Sequence, residues 1–198
     1  MTPEVRAANW SDLIAIAEER WGSPPPRLER RGKQHLLEGY VMLLFLKANA
    51  RKFAYPISIN QRDRPDFVLN DQIGKNFIEV TEAVDPEEQK LWTSREKDAQ
   101  DTEPTKVDEI DLDDPTRKRR FSELVGQAIR RKSQVDYRID TLLIYPNTYA
   151  NSFETPEWEL DALEITDLKD VTFNAIWIVA SDHGIELIRN QVVRFVSA

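Results

Sequence analysis

Apolar positions recur along this chain with two periods, one near 3.6 residues and one near 2, which divide it into helices and strands. Residues Pro3 to Arg20 carry Trp10, Leu13, Ile14 and Ala17 at helical spacing, and the run Ser23-Pro24-Pro25-Pro26 ends the pattern. This predicts an N-terminal amphipathic helical arm followed by a proline-rich linker, together covering 1–32. From about Lys33 to Ala50 a second helix has Leu36, Tyr40 and Leu43 roughly opposite Val41 and Phe45. A helix that is apolar all round is packed on more than one side. Its apolar run, Tyr40 to Leu46, falls far short of the ~18 residues of a membrane helix.

Two β-type runs follow, Phe67-Val68-Leu69 and Phe77-Ile78-Glu79-Val80-Thr81, separated by the turn-rich Asn70 to Lys75. They predict a hairpin. The stretch 85–114 is dominated by charge and lacks periodicity, so it reads as an insertion. Asp114 then supplies an N-cap and Pro115 a first helical position, predicting a helix to about Tyr137. Leu142 to Tyr145, Phe173 to Ala180, Ile185 to Ile188 and Val192 to Val196 read as strands, with His183 in the turn before the third of them. Alternating helices and strands predict an α/β fold with a central mixed β-sheet flanked by helices.

Composition narrows the class. With 198 residues, 40% hydrophobic and 31% charged, the chain has the balance of one globular domain with an extension. The absence of cysteine excludes disulfides, thiolate metal sites and cysteine nucleophiles. It fits a reducing compartment, and no cationic start with an apolar stretch and cleavage site is present, so a cytoplasmic protein with no membrane association is expected. A net charge of -8 argues against nonspecific coating of nucleic acid but leaves room for a local basic surface.

The residues able to do chemistry gather on the hairpin. If its turn is centred between Gln72 and Ile73, Asp66 faces Glu79 across the strands, with Cβ atoms ~4.5–5.5 Å apart. Two carboxylates so placed repel unless something positive lies between them, and a hard divalent cation such as magnesium, held by one or two carboxylates, is the simplest answer. The bland alternative leaves both acids in solvent at the hairpin end. On the basic helix, taking ~100° per residue with Phe121 at zero, Val125 lies near 40°, Ala128 near -20°, Val135 near -40° and Lys132 near 20°. Lys132 therefore sits inside the apolar stripe, where its ammonium either meets an acid or snorkels to water. Arg130 and Arg131 lie on other faces. Glu38, on the nearly all-apolar second helix, needs a partner that could be a metal, an arginine or a hydrogen bond.

Helix, Pro65-Asp66, β-hairpin, Glu79-Val80-Thr81, basic helix and apolar strand, in this order over roughly Lys33 to Tyr145, resemble the PD-(D/E)XK nuclease superfamily. The resemblance implies a restriction-endonuclease-like core over 33–198 and a magnesium-dependent endonuclease that hydrolyses phosphodiester bonds of nucleic acid, DNA favoured, with manganese able to replace magnesium. It makes Asp66 and Glu79 metal ligands and catalytic residues, adds the Val80 carbonyl and Glu38 to the metal set, and places a lysine two residues after the second acid. Here Thr81 stands at that position, and Lys132 is the candidate replacement, since some members carry the lysine on the following helix.

Arg62 and Arg64 beside Asp66, and Arg130 and Arg131 on the basic helix, are candidate phosphate contacts; solvated helix charge is the ordinary alternative for the latter pair. Gln127 could add a polar contact to water. A homodimer would suit an enzyme that cuts both strands. The competing reading is a catalytically inactive nuclease-like module that binds nucleic acid or a protein partner, and Thr81 is its main support. Spacing of His35 and His183 gives no zinc pattern, no glycine-rich phosphate loop occurs, and Trp92 and Trp158 read as packing residues.

Overall fold

The computed structural model of the protein describes residues 4–23, 32–86, 90, 115–146 and 171–180, and the strand backbone of 183–188 and 191–197. The strands are β1 (Val5–Ala7), β2 (Ile57–Gln61), β3 (Phe67–Asn70), β4 (Lys75–Ala83), β5 (Thr141–Pro146), β6 (Ala175–Val179), β7 (His183–Ile188) and β8 (Gln191–Ser197). The helices are α1 (Trp10–Trp21), α2 (Gln34–Asn49) and α3 (Pro115–Ser133), with a short 3-10 turn at Ala50–Lys52. The eight strands form one sheet in chain order. Pairing is antiparallel from β1 to β4, parallel for β4–β5 and β5–β6, and antiparallel again to β8.

This is the α/β mixed sheet flanked by helices that the pattern predicts, with differences at the N-terminus. The helix expected from Pro3 begins at Trp10, where the Asn9 side chain accepts a hydrogen bond from the Asp12 amide at 3.0 Å. Ahead of it Val5 and Ala7 turn inward and pair with Ile59 and Ile57. The reason is β2: its alternation of Ile57 and Ile59 with polar residues is too short to stand out in the sequence, yet it offers an edge that Val5 and Ala7 complete. Nor does α1 stand apart, since Leu13, Ala17 and Trp21 are buried in the same core as α2. Gly39 permits that approach, because a Cβ there would lie 2.3 Å from Trp21 Cδ1.

The sheet separates two apolar layers. On one face α1 and α2 cover Phe67, Leu69, Ile78, Val80, Leu143 and Trp177. On the other, Phe121, Leu124, Val125, Ala128 and Ile129 of α3 cover Leu142, Ile144, Ile176 and Ile178. Residues of β4 therefore alternate, with Ile78 and Val80 toward α2 and Glu79 and Thr81 toward α3. β5 is covered on both faces, and Thr141 to Ile144 are all buried, as a central parallel strand requires. α3 ends at Ser133, a turn before the expected Tyr137, with Ser133 Oγ donating to the Ile129 carbonyl at 2.9 Å. His183 opens β7 opposite Ser197 rather than sitting in a turn. The Asp114 cap, Trp92, Trp158 and nearly all of the charged stretch 85–114 lie outside the described residues. Among the described residues no helix is long and apolar enough to cross a membrane.

One buried acid locks the strand ends that frame the site. Asp140 accepts from the Phe77 amide at 3.0 Å and from Arg138 Nε at 2.8 Å, while its own amide donates to the Phe77 carbonyl and its carbonyl accepts from the Asn174 and Ala175 amides. Asp140→Ala would leave the Phe77 N–H unpaired, a cost of ~1–3 kcal/mol for one buried group and more with the charged partner lost. A destabilisation of ~2–3 kcal/mol by denaturant titration is expected, with Asp140→Asn recovering about half.

Candidate active site

The hairpin sets the two acids side by side. Asp71 closes its turn, with Oδ1 accepting from the Ile73 and Gly74 amides at 2.8 and 3.0 Å. This side-chain closure favours one turn geometry and so one register. Phe67 pairs with Ile78 and Val68 with Phe77, and continuing that register by one residue puts Asp66 opposite Glu79. Asp66 sits just before β3, and its Oδ2 accepts from the Val80 amide at 2.7 Å while its carbonyl accepts from the Arg62 amide, also at 2.7 Å. Both acids are withdrawn from solvent, Asp66 to 7% exposure and Glu79 to 2%.

The α3 layer delivers the cation. Packing the Phe121–Val125–Ala128 stripe on the sheet brings the Lys132 ammonium onto Glu79 Oε1. The chain turns after Ser133, and the Tyr137 hydroxyl donates to the same oxygen at 2.8 Å. The other oxygen, Glu79 Oε2, is buried and has no hydrogen-bond partner among the described residues. From α2, Glu38 faces this group, with the Gln34 side chain hydrogen-bonded to it. The Gln61 side chain ties α2 to β2 by donating to the His35 carbonyl at 2.7 Å.

Three carboxylates around one ammonium leave an uncompensated negative field. Burial, then the Glu38 and Glu79 charges, push the Asp66 carboxyl up to about 8 against the pull of the Val80 N–H bond. Burial and then Glu79 also raise Glu38. Burial and the bond to Glu79 push the Tyr137 phenol above its usual range, so it stays a donor.

These groups line a cleft of about 720 Å³, with Arg62 and Arg64 on its wall. A second cleft of about 460 Å³ adjoins it, sharing Gln34, Glu38 and Lys132 and adding Thr81, Gln127 and Arg131. The structure thus brings together Asp66, Glu79, Glu38, Lys132, Arg62 and Arg64. Val80 contributes its amide to Asp66 and buries its side chain in the α2 layer. Arg130 is not drawn in: it is exposed and lies over Gly126 of its own helix. Two contacts escape the sequence. Tyr137 carries no periodic signal because it lies beyond the helix end, and Arg131, on the flank of the stripe, reaches across to Thr81 Oγ1 at 2.5 Å.

The donor set suits a hard divalent cation. Magnesium needs only one or two carboxylates with water in its other positions, and the buried Glu79 Oε2 without a partner beside Asp66 is the kind of oxygen such an ion satisfies. Among the described residues no three His, Cys, Asp or Glu side chains form a metal-binding group. Comparison with protein-family models, curated proteins and solved structures finds no match to this chain.

Proposed function

We propose that the protein is a metal-dependent nuclease of the restriction-endonuclease-like type, hydrolysing phosphodiester bonds of nucleic acid with DNA favoured. The observation that carries this reading is the buried Asp66–Glu79 pair, Asp66 just before β3 and Glu79 on β4, with Lys132 on one oxygen of Glu79 and, among the described residues, no partner on the other. The order of α2, the β2–β4 antiparallel strands, the α3 crossover and parallel β5 supports the fold-type reading.

Asp66 and Glu79, with the Val80 carbonyl and with Glu38 alongside, would hold magnesium or manganese. Such a cation supplies polarisation of the phosphoryl group and acidifies bound water. The protein's own residues do the rest. Lys132, anchored on Glu79, orients the attacking water and offsets charge growing on the phosphoryl oxygens. Tyr137 holds the Glu79 carboxylate through Oε1, which leaves its second oxygen for a cation. Arg62 and Arg64 hold the phosphate backbone with fork geometry that matches its oxygens. The inert-module reading draws on the uncharged Thr81, but the Arg131 guanidinium bonded to Thr81 brings positive charge to that position.

The test is cleavage of labelled single- and double-stranded DNA and RNA with magnesium, manganese or EDTA. Metal-dependent cutting that disappears in Glu79→Ala is expected. Full activity in that variant would refute the site, and no cutting of any substrate by the folded wild type would favour the inert module.

A further inference from the structure

We infer that the cleft beside the acids is a phosphate subsite built around Arg131, so that a nucleic-acid strand lies across both clefts with the Asp66–Glu79 pair between its bound phosphates. This rests on the nuclease reading for the placement of the strand, not for the subsite itself. Arg131 is held by neutral acceptors: one terminal nitrogen donates to Thr81 Oγ1 at 2.5 Å and to the Glu82 carbonyl at 3.4 Å. Among the described residues it has no ion-pair partner, unlike Arg120 and Lys132, each of which meets a carboxylate. A guanidinium anchored through one nitrogen keeps its remaining donors and its full charge for an anion, and it loses little side-chain entropy on binding one.

The position of Thr81 makes this a built feature. Thr81 is buried on β4, two residues from Glu79 and on the same face, so its hydroxyl fixes the guanidinium relative to the acids. Gln127 and Gln34 line the same cleft and can donate to phosphate oxygens without repelling them. Across the shared rim of Glu38 and Lys132, Arg62 and Arg64 stand on the wall of the other cleft. Cations in both adjoining clefts, one of which also holds the buried acids, fit a polyanionic strand that continues past the reacting phosphate, and so cleavage within a strand rather than at its end.

The experiment is fluorescence-anisotropy binding of a labelled single-stranded 20-nucleotide DNA in EDTA across a salt series, which reads the subsite whether or not the protein cuts. Arg131→Gln is expected to weaken binding roughly 10-fold and to lower the slope of log affinity against log salt by about 0.7, the loss of one single-strand phosphate contact. Thr81→Val keeps the charge but frees the guanidinium, and is expected to weaken binding by about 3-fold with the slope nearly unchanged. Wild-type affinity and slope in Arg131→Gln would overturn the subsite. Loss in Arg131→Gln with none in Thr81→Val would overturn the anchored geometry, leaving a solvated charge. Intact binding that follows these expectations without metal-dependent cutting would refute the nuclease reading while sustaining the subsite.

Discussion

Asp66→Asn is expected to abolish metal-dependent cleavage and at the same time to make the metal-free protein more stable at neutral and alkaline pH. The carboxyl is held near 8 in the folded protein, by burial first and then by Glu38 and Glu79, against about 3.9 in the unfolded chain. Between those values the folded state keeps a proton that the unfolded state has lost, so stability falls as pH rises, by at most ~1.4 kcal/mol per pH unit for one group. The stabilising contribution is fully present below about pH 4 and is gone above about pH 8. Asparagine does not titrate, and its carbonyl oxygen can still accept from the Val80 amide.

The Tm difference between variant and wild type should therefore be small at pH 4, widen with pH, and level off above about pH 8, where a gain of at least ~3 °C is expected. Magnesium or manganese should raise the wild-type Tm, most at high pH, and leave the variant unmoved. A variant less stable than wild type throughout pH 5–9 would show that Asp66 is not the strained acid of the cluster.

Lys132→Met is expected to have the opposite effect on stability. Its ammonium compensates Glu79, a carboxylate exposed by only 2% and close to two further acids. Removing one partner of a buried pair leaves an uncompensated charge, a loss of ~3–5 kcal/mol. Cleavage should fall by a factor of at least ~10² through loss of the group that orients water. Adding Glu79→Gln removes the orphaned charge, so the double variant should recover most of the stability and none of the activity. Urea denaturation of wild type, both single variants and the double variant gives the coupling directly. Additive stabilities would mean that the Lys132–Glu79 contact carries no energy.

The hairpin was the most legible part of the chain. Turn residues between two β-type runs set a register that can be counted, and the observed Phe67–Ile78 and Val68–Phe77 pairs place Asp66 by Glu79 as that count predicts. Lys132 was legible for a similar reason, since helical phase alone put an ammonium among apolar side chains, and α3 packs on that stripe. Where periodicity was short or absent the sequence was silent. β2 offers two isoleucines in five residues, and without it Val5 and Ala7 read as the start of a helix rather than an edge strand.

Local physics, acting over neighbouring residues, determined the hairpin register, the apolar face of α3 and the apolar surround of α2, which is buried on all sides from Val41 to Leu46 while Leu36 in its first turn stays exposed, because turn closure and the 3.6-residue period depend only on near sequence. Tertiary structure decided which oxygen each donor takes. Tyr137 and Lys132 share Glu79 Oε1, Arg131 finds Thr81, and Glu38 joins from another layer, because these contacts span 41 to 58 positions and depend on how two helices seat on one sheet. The elevated Asp66 carboxyl follows from that seating, since burial and the charges of Glu38 and Glu79 come together only when the layers close.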